Sequence, residues 1–517
     1  MKKAIAVIFC LSIILSVFTC CKKQDSEQAK ITVAETNETE KPVTEPEAKT
    51  ESEQISLSYN SKQPFNPFTT KSLTNKNIAT LIYDSLFRLD SAYNAVALLA
   101  KSYRQDGRTL TVYLNDGLFF SDGSALTPDD VIASFNAAKE SPFYSSRLKN
   151  FSAAAASDSQ IVSFALKRAD VYAVNCLDFP IAKAETLSRS MPTGSGRYTL
   201  QKSKGTYTLQ ANAENTRNEE LEQSKIFLYP ADAESGELYQ LQIGDISFMF
   251  DNMSREVQRK QIAAGTVDVS VNTLVFLGFN NSSDYFKDMN IKNAVEAALD
   301  KSLICSTAYN SLAKPCSTVF NPDWSAVSAY SSEQPKQQTA LAEQLLEKSG
   351  YIYAYENNKH RSKNFEFIEM TVLVNNESEP KLKAAKLIAS SLQRVGIDAK
   401  VEAVEYEEYT ERLKKGEYDL YVGEIKLSPN MDLSVFFSEG GSVSYSIDTE
   451  STAAKAYSDF AAGKIDVSTF CKVFDEYKPF LPIGYRFAIA YYSRELKFEG
   501  TVNENDIFSN IYSWSFS

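Results

Sequence analysis

Apolar positions recur along this chain with two periods, and the switches between them outline its elements. Residues 55–59 alternate as a strand, and Pro64 and Pro67 punctuate the loop that follows. Ile78, Leu81, Ile82 and Leu86 fall near helical spacing and predict a helix over 77–88. Leu110, Val112 and Leu114 alternate, and Asn115-Asp116-Gly117 then leads into Leu118-Phe119-Phe120, which predicts a hairpin. Asp122-Gly123 makes the next turn. Thr127-Pro128-Asp129-Asp130 combines an N-cap threonine, proline at the first helical position and an acid at the third, so a helix starts there with Val131, Ile132, Phe135 and Ala138 inward.

The second half reads as helix–strand–helix–strand. Leu382, Ala385, Ile388, Leu392 and Val395 mark a helix face closed by Gly396, a left-handed cap. Ile397, Ala399, Val401 and Ala403 alternate with Lys400 and Glu402 as a strand. Residues 409–415 form a short helix ended by Gly416, and 418–425 a more buried strand. This rhythm implies a mixed or parallel sheet with helices on its faces. No stretch of the body is apolar for long enough to span a membrane.

The start of the chain differs from everything after it. Lys2 and Lys3 precede an apolar run from Ala4 to Thr19, too short for an ordinary membrane span, and Cys20-Cys21 follows at once. Residues 1–19 read as a signal peptide of the bacterial lipoprotein kind, with Cys20 acylated, or Cys21 as the alternative. A plain cleaved signal or an uncleaved anchor is the competing reading. Residues 20–53 carry no aromatic residue and no glycine, with five Lys against nine acids. Such a segment cannot bury enough apolar area to offset chain entropy and is expected to be a disordered acidic tether.

Composition narrows the chemistry. Over 517 residues, 54 Lys+Arg oppose 66 Asp+Glu for a formal charge of −12, which argues against nucleic acid as a partner. The single histidine, His360, lies in a polar run read as a solvated loop and excludes any site needing two. Outside the signal segment, with its Cys10, Cys20 and Cys21, four cysteines remain: Cys176, Cys305, Cys316 and Cys471. They have no CxxC spacing, so no metal site is expected. A Cys305–Cys316 bridge and separate buried thiols are both open. Phosphate-loop, HExxH and GxSxG motifs are absent. Gly194-Ser195-Gly196 reads as a turn, Asp129-Asp130 as a cap, and Glu405-Tyr406-Glu407-Glu408 as acids at a helix entrance. No nucleophile or placed carboxylate pair emerges, so the expectation is a non-enzyme without cofactors.

A series of blocks then carries a resemblance. Leu81-Ile-Tyr-Asp-Ser-Leu-Phe-Arg-Leu-Asp90 is followed by Leu98-Leu-Ala-Lys-Ser-Tyr103 and by Thr109-Leu-Thr-Val-Tyr-Leu-Asn-Asp-Gly-Leu-Phe-Phe-Ser-Asp-Gly-Ser-Ala-Leu-Thr-Pro-Asp-Asp-Val131. Gly194-Ser-Gly-Arg-Tyr198, Gly244-Asp-Ile246, Leu277-Gly-Phe-Asn280, Ile291-Lys-Asn-Ala-Val-Glu-Ala-Ala-Leu-Asp-Lys301, Ala342-Glu-Gln-Leu-Leu-Glu-Lys-Ser-Gly-Tyr351, Tyr418-Asp-Leu420 and Leu481-Pro-Ile483 continue it in order. Together they resemble the peptide/nickel family (extracellular solute-binding family 5) of ABC-transporter substrate-binding lipoproteins, as in oligopeptide- and dipeptide-binding proteins.

The resemblance implies an α/β, two-lobed periplasmic-binding-protein-like (type II) fold with a hinge and an extra domain inserted in the first lobe. Lobe I would take 54–77, 187–274 and 483–517, the insertion 78–186, and lobe II 275–482, with crossings near Val275 and Pro482. It further implies a monomeric receptor, held at the outer face of the cytoplasmic membrane only through its lipid, that delivers an oligopeptide or similar elongated polar solute to permease subunits with a cytoplasmic ATPase. A modified peptide or glycan ligand, a surface signalling or adhesion role without transport, and a secreted hydrolase are the alternatives. By resemblance, ligand contacts fall at Lys71, Ser72, Leu73 and Thr74, at Phe250 and Asp251, and near Glu424, Lys426 and Ser428. Ser428 stands where many peptide-binding relatives carry an Asp for the ligand's ammonium. Either Glu424, Asp432 or Asp251 supplies that charge, or the ligand has no free N-terminus there. Lys426 meets an anionic group or is a surface lysine.

Overall fold

The computed structural model describes residues 54–517 except 216, 218–220, 222, 255–256, 328–335, 356–357, 499–500 and 517, so the expected signal peptide, acylated cysteine and tether lie outside the described residues. One mixed sheet organises the body. Its strands are β1 (Ser56–Tyr59), β6 (Tyr198–Ser203), β7 (Thr206–Ala211), β8 (Lys225–Pro230), β9 (Phe248–Asp251), β10 (Gly265–Phe279), β11 (Ala313–Pro315), β12 (Glu369–Asn375), β13 (Asp398–Val404), β14 (Leu420–Lys426) and β15 (Phe480–Tyr492). The spatial order is β13-β12-β14-β10-β15-β9-β1-β8-β7-β6, with β11 also on β15. The strands β2 (Ala100–Asp106), β3 (Thr109–Leu114), β4 (Phe151–Asp158) and β5 (Ile161–Leu166) form a separate antiparallel sheet in the order β2-β3-β5-β4.

Both faces of the second half are buried, and the two-residue period decides which side chain goes where. Val275 and Leu277 of β10, Val372 and Val374 of β12, and Leu420 and Val422 of β14 enter one core. Helices α4 (Met289–Ala298), α5 (Lys301–Ala308), α6 (Thr339–Lys348) and α7 (Glu379–Arg394) cover it. Their neighbours Phe276, Leu373 and Tyr421 point the other way, into an aromatic core under α8 (Tyr406–Lys415), α9 (Ser434–Phe437), α10 (Thr452–Ala461) and α11 (Val467–Tyr477). A third core joins β1, β6, β7 and β8 to α1 (Leu73–Ile82), α2 (Pro128–Glu140) and the separate sheet. Most of the buried apolar side chains of 78–186 therefore share one core with the strands around them, while Tyr93 enters the aromatic core and Tyr172 packs against it.

Two strands, β10 and β15, run antiparallel through the middle from Gly265↔Tyr492 to Gly278↔Phe480. Their register shifts between Ser270 and Leu274, where four steps along β10 match two along β15. A bulge of this kind turns side chains out of the ladder.

Several local expectations match the structure. Asp130 accepts from the Thr127 amide at 2.9 Å and its hydroxyl at 2.8 Å, closing the predicted helix start. Gly396 ends α7 at φ +89°, where a side chain would be strained. Two expectations shift. The helix placed over 77–88 is α1, which starts four residues earlier and ends six residues earlier, because Ser72 caps it by accepting from the Asn75 amide at 3.2 Å and the chain leaves the helix at Tyr83. The hairpin placed at Asn115–Gly117 turns instead at Gly107, between β2 and β3. Leu118–Phe120 closes on 124–126 around Asp122-Gly123, with Leu126 N donating to Leu118 O at 2.9 Å. Leu118–Phe120 has the right pattern, but β3 already has β2 and β5 on its two edges. Cys176, Cys305, Cys316 and Cys471 are free and buried.

Candidate functional site

The bulge opens the floor of a cavity of about 1120 Å³. Val271 and Thr273 of the bulge, Phe250 at the end of β9, Glu424 and Lys426 at the end of β14, Arg486 of β15 and Lys381 of α7 all line it. These side chains come from positions up to 236 residues apart, united by the order β14-β10-β15-β9. A second compartment of about 700 Å³ adjoins it, sharing Leu73, Phe143, Lys426 and Glu504. The two make one elongated cleft, larger than a typical pocket for a small ligand.

Charge in the cleft is mostly paired. Arg486 Nη1 donates to Glu424 Oε1 at 2.6 Å and Nη2 to the Met253 carbonyl at 2.5 Å, with both side chains largely buried. Lys426 Nζ meets Glu504 at 2.5 Å, and the other Glu504 oxygen accepts from the Asn272 amide at 2.7 Å. Asn272 Nδ2 donates to Ser428 O at 3.0 Å, so the bulge, the tail and the end of β14 brace one another. Lys381 is half-buried with no partner among the described residues, and burial lowers its pKa despite Glu424 nearby.

Of the residues carried by resemblance, Leu73, Phe250, Glu424, Lys426 and Ser428 line the cleft. Lys71 is exposed outside it, and Ser72 caps α1. Thr74 donates to Glu237 Oε1 at 2.7 Å, inside lobe packing. Asp251 is buried, accepts from the Met253 amide at 2.8 Å, and has its pKa raised first by desolvation. Asp432 lines the second compartment but accepts from Arg168 at 2.5 Å and from Tyr457 and Ser434. Sequence reasoning missed Arg486, Glu504, Lys381 and Phe143. Arg486 alone left a signal, as the one charge in the apolar run of β15. His360 rests edge-on against Phe367, in no part of the cleft lining.

Comparison with known proteins adds four findings. Residues 94–457 match the family described as bacterial extracellular solute-binding proteins, family 5 Middle. The oligopeptide-binding protein AppA of Bacillus subtilis is 23% identical over 383 residues, 69% of each chain. The fold is similar to the unliganded open form of the periplasmic murein tripeptide binding protein MppA (TM-score 0.72, 16% identity, 90% of this chain and 99% of that one). It is also similar to NikA from Brucella suis in complex with Fe(III)-EDTA (TM-score 0.66, 17% identity, 89% of this chain and 100% of that one).

Proposed function

The chain belongs to the bacterial extracellular solute-binding proteins of family 5, and from that premise we propose that it is the receptor of an ABC importer, capturing an oligopeptide or similar elongated polar solute in the cleft. The observation that carries this reading is the continuous two-compartment cleft, about 1120 Å³ and about 700 Å³, at the bulge of the two long central strands. Lobe I (54–77, 187–274, 483–517, with 78–186 inserted) and lobe II (275–482) close about β10 and β15. The closed protein, a monomer, hands its ligand to permease subunits served by a cytoplasmic ATPase and performs no turnover.

A thermal-shift titration of the full chain tests this. A pool of short peptides at about 100 times Kd is expected to add about 2.7 kcal/mol of stability, a rise of a few degrees in Tm. A glycan pool that shifts Tm where peptides do not would favour the second reading, a modified peptide or glycan. One observation favours that reading: Glu424 and Asp432, two of the acids considered for a ligand's ammonium, are already neutralised by Arg486 and Arg168.

The same reading places the protein outside the cytoplasmic membrane, anchored by an acyl group on Cys20. Cys20→Ala is expected to move the protein from the detergent to the aqueous phase in phase partition, while Cys21→Ala stays with the detergent. The reverse pattern would move the anchor to Cys21.

A further inference from the structure

We propose that the aromatic segment 352–367 of lobe II is a bilayer-docking tip, which seats Phe365 among the headgroups of an anionic phospholipid surface. The inference goes beyond ligand capture and rests on the extracytoplasmic placement read above. It adds a second membrane contact to the acyl anchor.

Fifteen large apolar side chains are exposed among the described residues, and five fall in these sixteen positions: Ile352, Tyr353, Tyr355, Phe365 and Phe367. Single exposed rings need no explanation, but a concentration of them marks a contact surface. Phe365 is 95% exposed, at the turn of a two-rung hairpin that pairs Ser362–Lys363 with Glu366–Phe367. Asn364 and Phe365 have φ of +52° and +71°, the turn type that favours asparagine followed by glycine. A phenylalanine in the glycine place is strained by its backbone and gains almost no packing from its own chain.

The tip is nonetheless firmly held. Arg361 is buried, lies over the Tyr353 ring at 4.4 Å, and donates to the Val395 carbonyl at 2.9 Å and the Tyr351 carbonyl at 3.2 Å. Ile352 and Ser362 exchange backbone hydrogen bonds at 3.1 and 2.8 Å. The ring therefore projects from the ends of α6 and α7 as a fixed wedge. A protein partner would need a pocket shaped to it, whereas a bilayer interface accepts aromatic rings without one.

Charge favours the same occupant. Residues 351–368 carry Lys359, Arg361 and Lys363 against Glu356 and Glu366, a local surplus of one positive charge in a chain of −12. Lys359 and Lys363 are exposed, and neither has an acidic partner among the described residues. Lys363 Nζ instead lies over the Tyr351 ring at 5.6 Å. Lysines so placed lay their stems along the rings and meet lipid phosphate with their ammonium groups. Just past the hairpin, Glu369 is paired with Lys400. Docking here leaves the cleft open. From Glu369, β12 runs toward Glu377 and Ser378 in the lining of the first compartment, and its seven residues put about 20 Å between tip and cleft. One wedge binds weakly alone, but on a body already tethered it acts at high effective concentration.

Tryptophan serves as the depth probe, because Trp324 and Trp514 are both buried. Full-chain Phe365→Trp would be mixed with excess vesicles of phosphatidylcholine and phosphatidylglycerol brominated on their acyl chains. About a twofold loss of the added emission, with a blue shift, is expected of a ring at headgroup level. Tyr239→Trp, at an exposed ring outside the hairpin, should stay unquenched. Adding Lys359→Glu and Lys363→Glu to Phe365→Trp should cut the quenching, as should high salt. Phe365→Gly should melt no lower than the wild type, since glycine suits the turn. Quenching at 365 no greater than at 239 would overturn the docking tip, whether or not peptides bind. Quenching at 365 in a protein that no peptide stabilises would remove the peptide reading and leave the tip standing. Sedimentation covers the other occupant: a dimer lost in Phe365→Gly, with no quenching at 365, would assign the tip to a second copy and overturn the proposal.

Discussion

Replacing Arg486 by Leu is expected to cost about 3–5 kcal/mol of stability, because it strands Glu424 in the cleft floor without its partner. Arg486 is 9% exposed and divides its guanidinium between the Glu424 carboxylate and the Met253 carbonyl, tying the end of β14 to the segment after β9 across β15. The double variant Arg486→Leu/Glu424→Leu should recover most of the loss, since a well-packed apolar pair replaces a buried ion pair at little cost. Urea unfolding of the wild type, the two single variants and the double would give the coupling energy directly. A single variant as stable as the double would mean that Glu424 is hydrated in the unliganded protein and that the pair does not brace the site.

A second large effect is expected at Gly196. A Cβ there would stand 2.5 Å from the Ile82 carbonyl carbon and 2.6 Å from the Leu81 oxygen, both main chain, while Gly196 N donates to the same Ile82 carbonyl at 2.8 Å. Nothing at that contact is a flexible side-chain end, so Gly196→Ala must push the strand or the end of α1 away. The expected loss is about 3 kcal/mol, at the upper end of overpacking costs. Because α1 carries Leu73 and Lys76 to the cleft, ligand affinity should fall with it. Unfolding and titration of the same variant would show whether the two losses travel together. A stable Gly196→Ala with normal affinity would remove α1 from the account of the site.

The sequence was most legible where local chemistry alone decides the outcome. Thr127-Pro128-Asp129-Asp130 is a helix start on any reading, and the glycines at 396 and 416 stop helices because they sit at positive φ. The alternating run of β13 and the more buried run of β14 likewise became strands. Partner choice was not legible. Leu118–Phe120 has the pattern of a hairpin arm, but β3 had its edges filled by β2 and β5, the latter some fifty residues away. The site divides in the same manner. Glu424, Lys426 and Ser428 share one strand end and were reached together, whereas Arg486 and Glu504 join them only through the order of the sheet. Ser72 and Thr74 show the converse: side chains polar enough for a ligand that serve a helix cap and a buried Glu237 instead.

The central claim is that this cleft captures an elongated polar solute, and native mass spectrometry of the full chain purified without denaturation tests it most directly. A ladder of peptide mass increments that vanishes on denaturation is the result the account predicts. A single discrete non-peptide mass, or a bare protein mass that stays bare after exposure to a peptide pool, would contradict it.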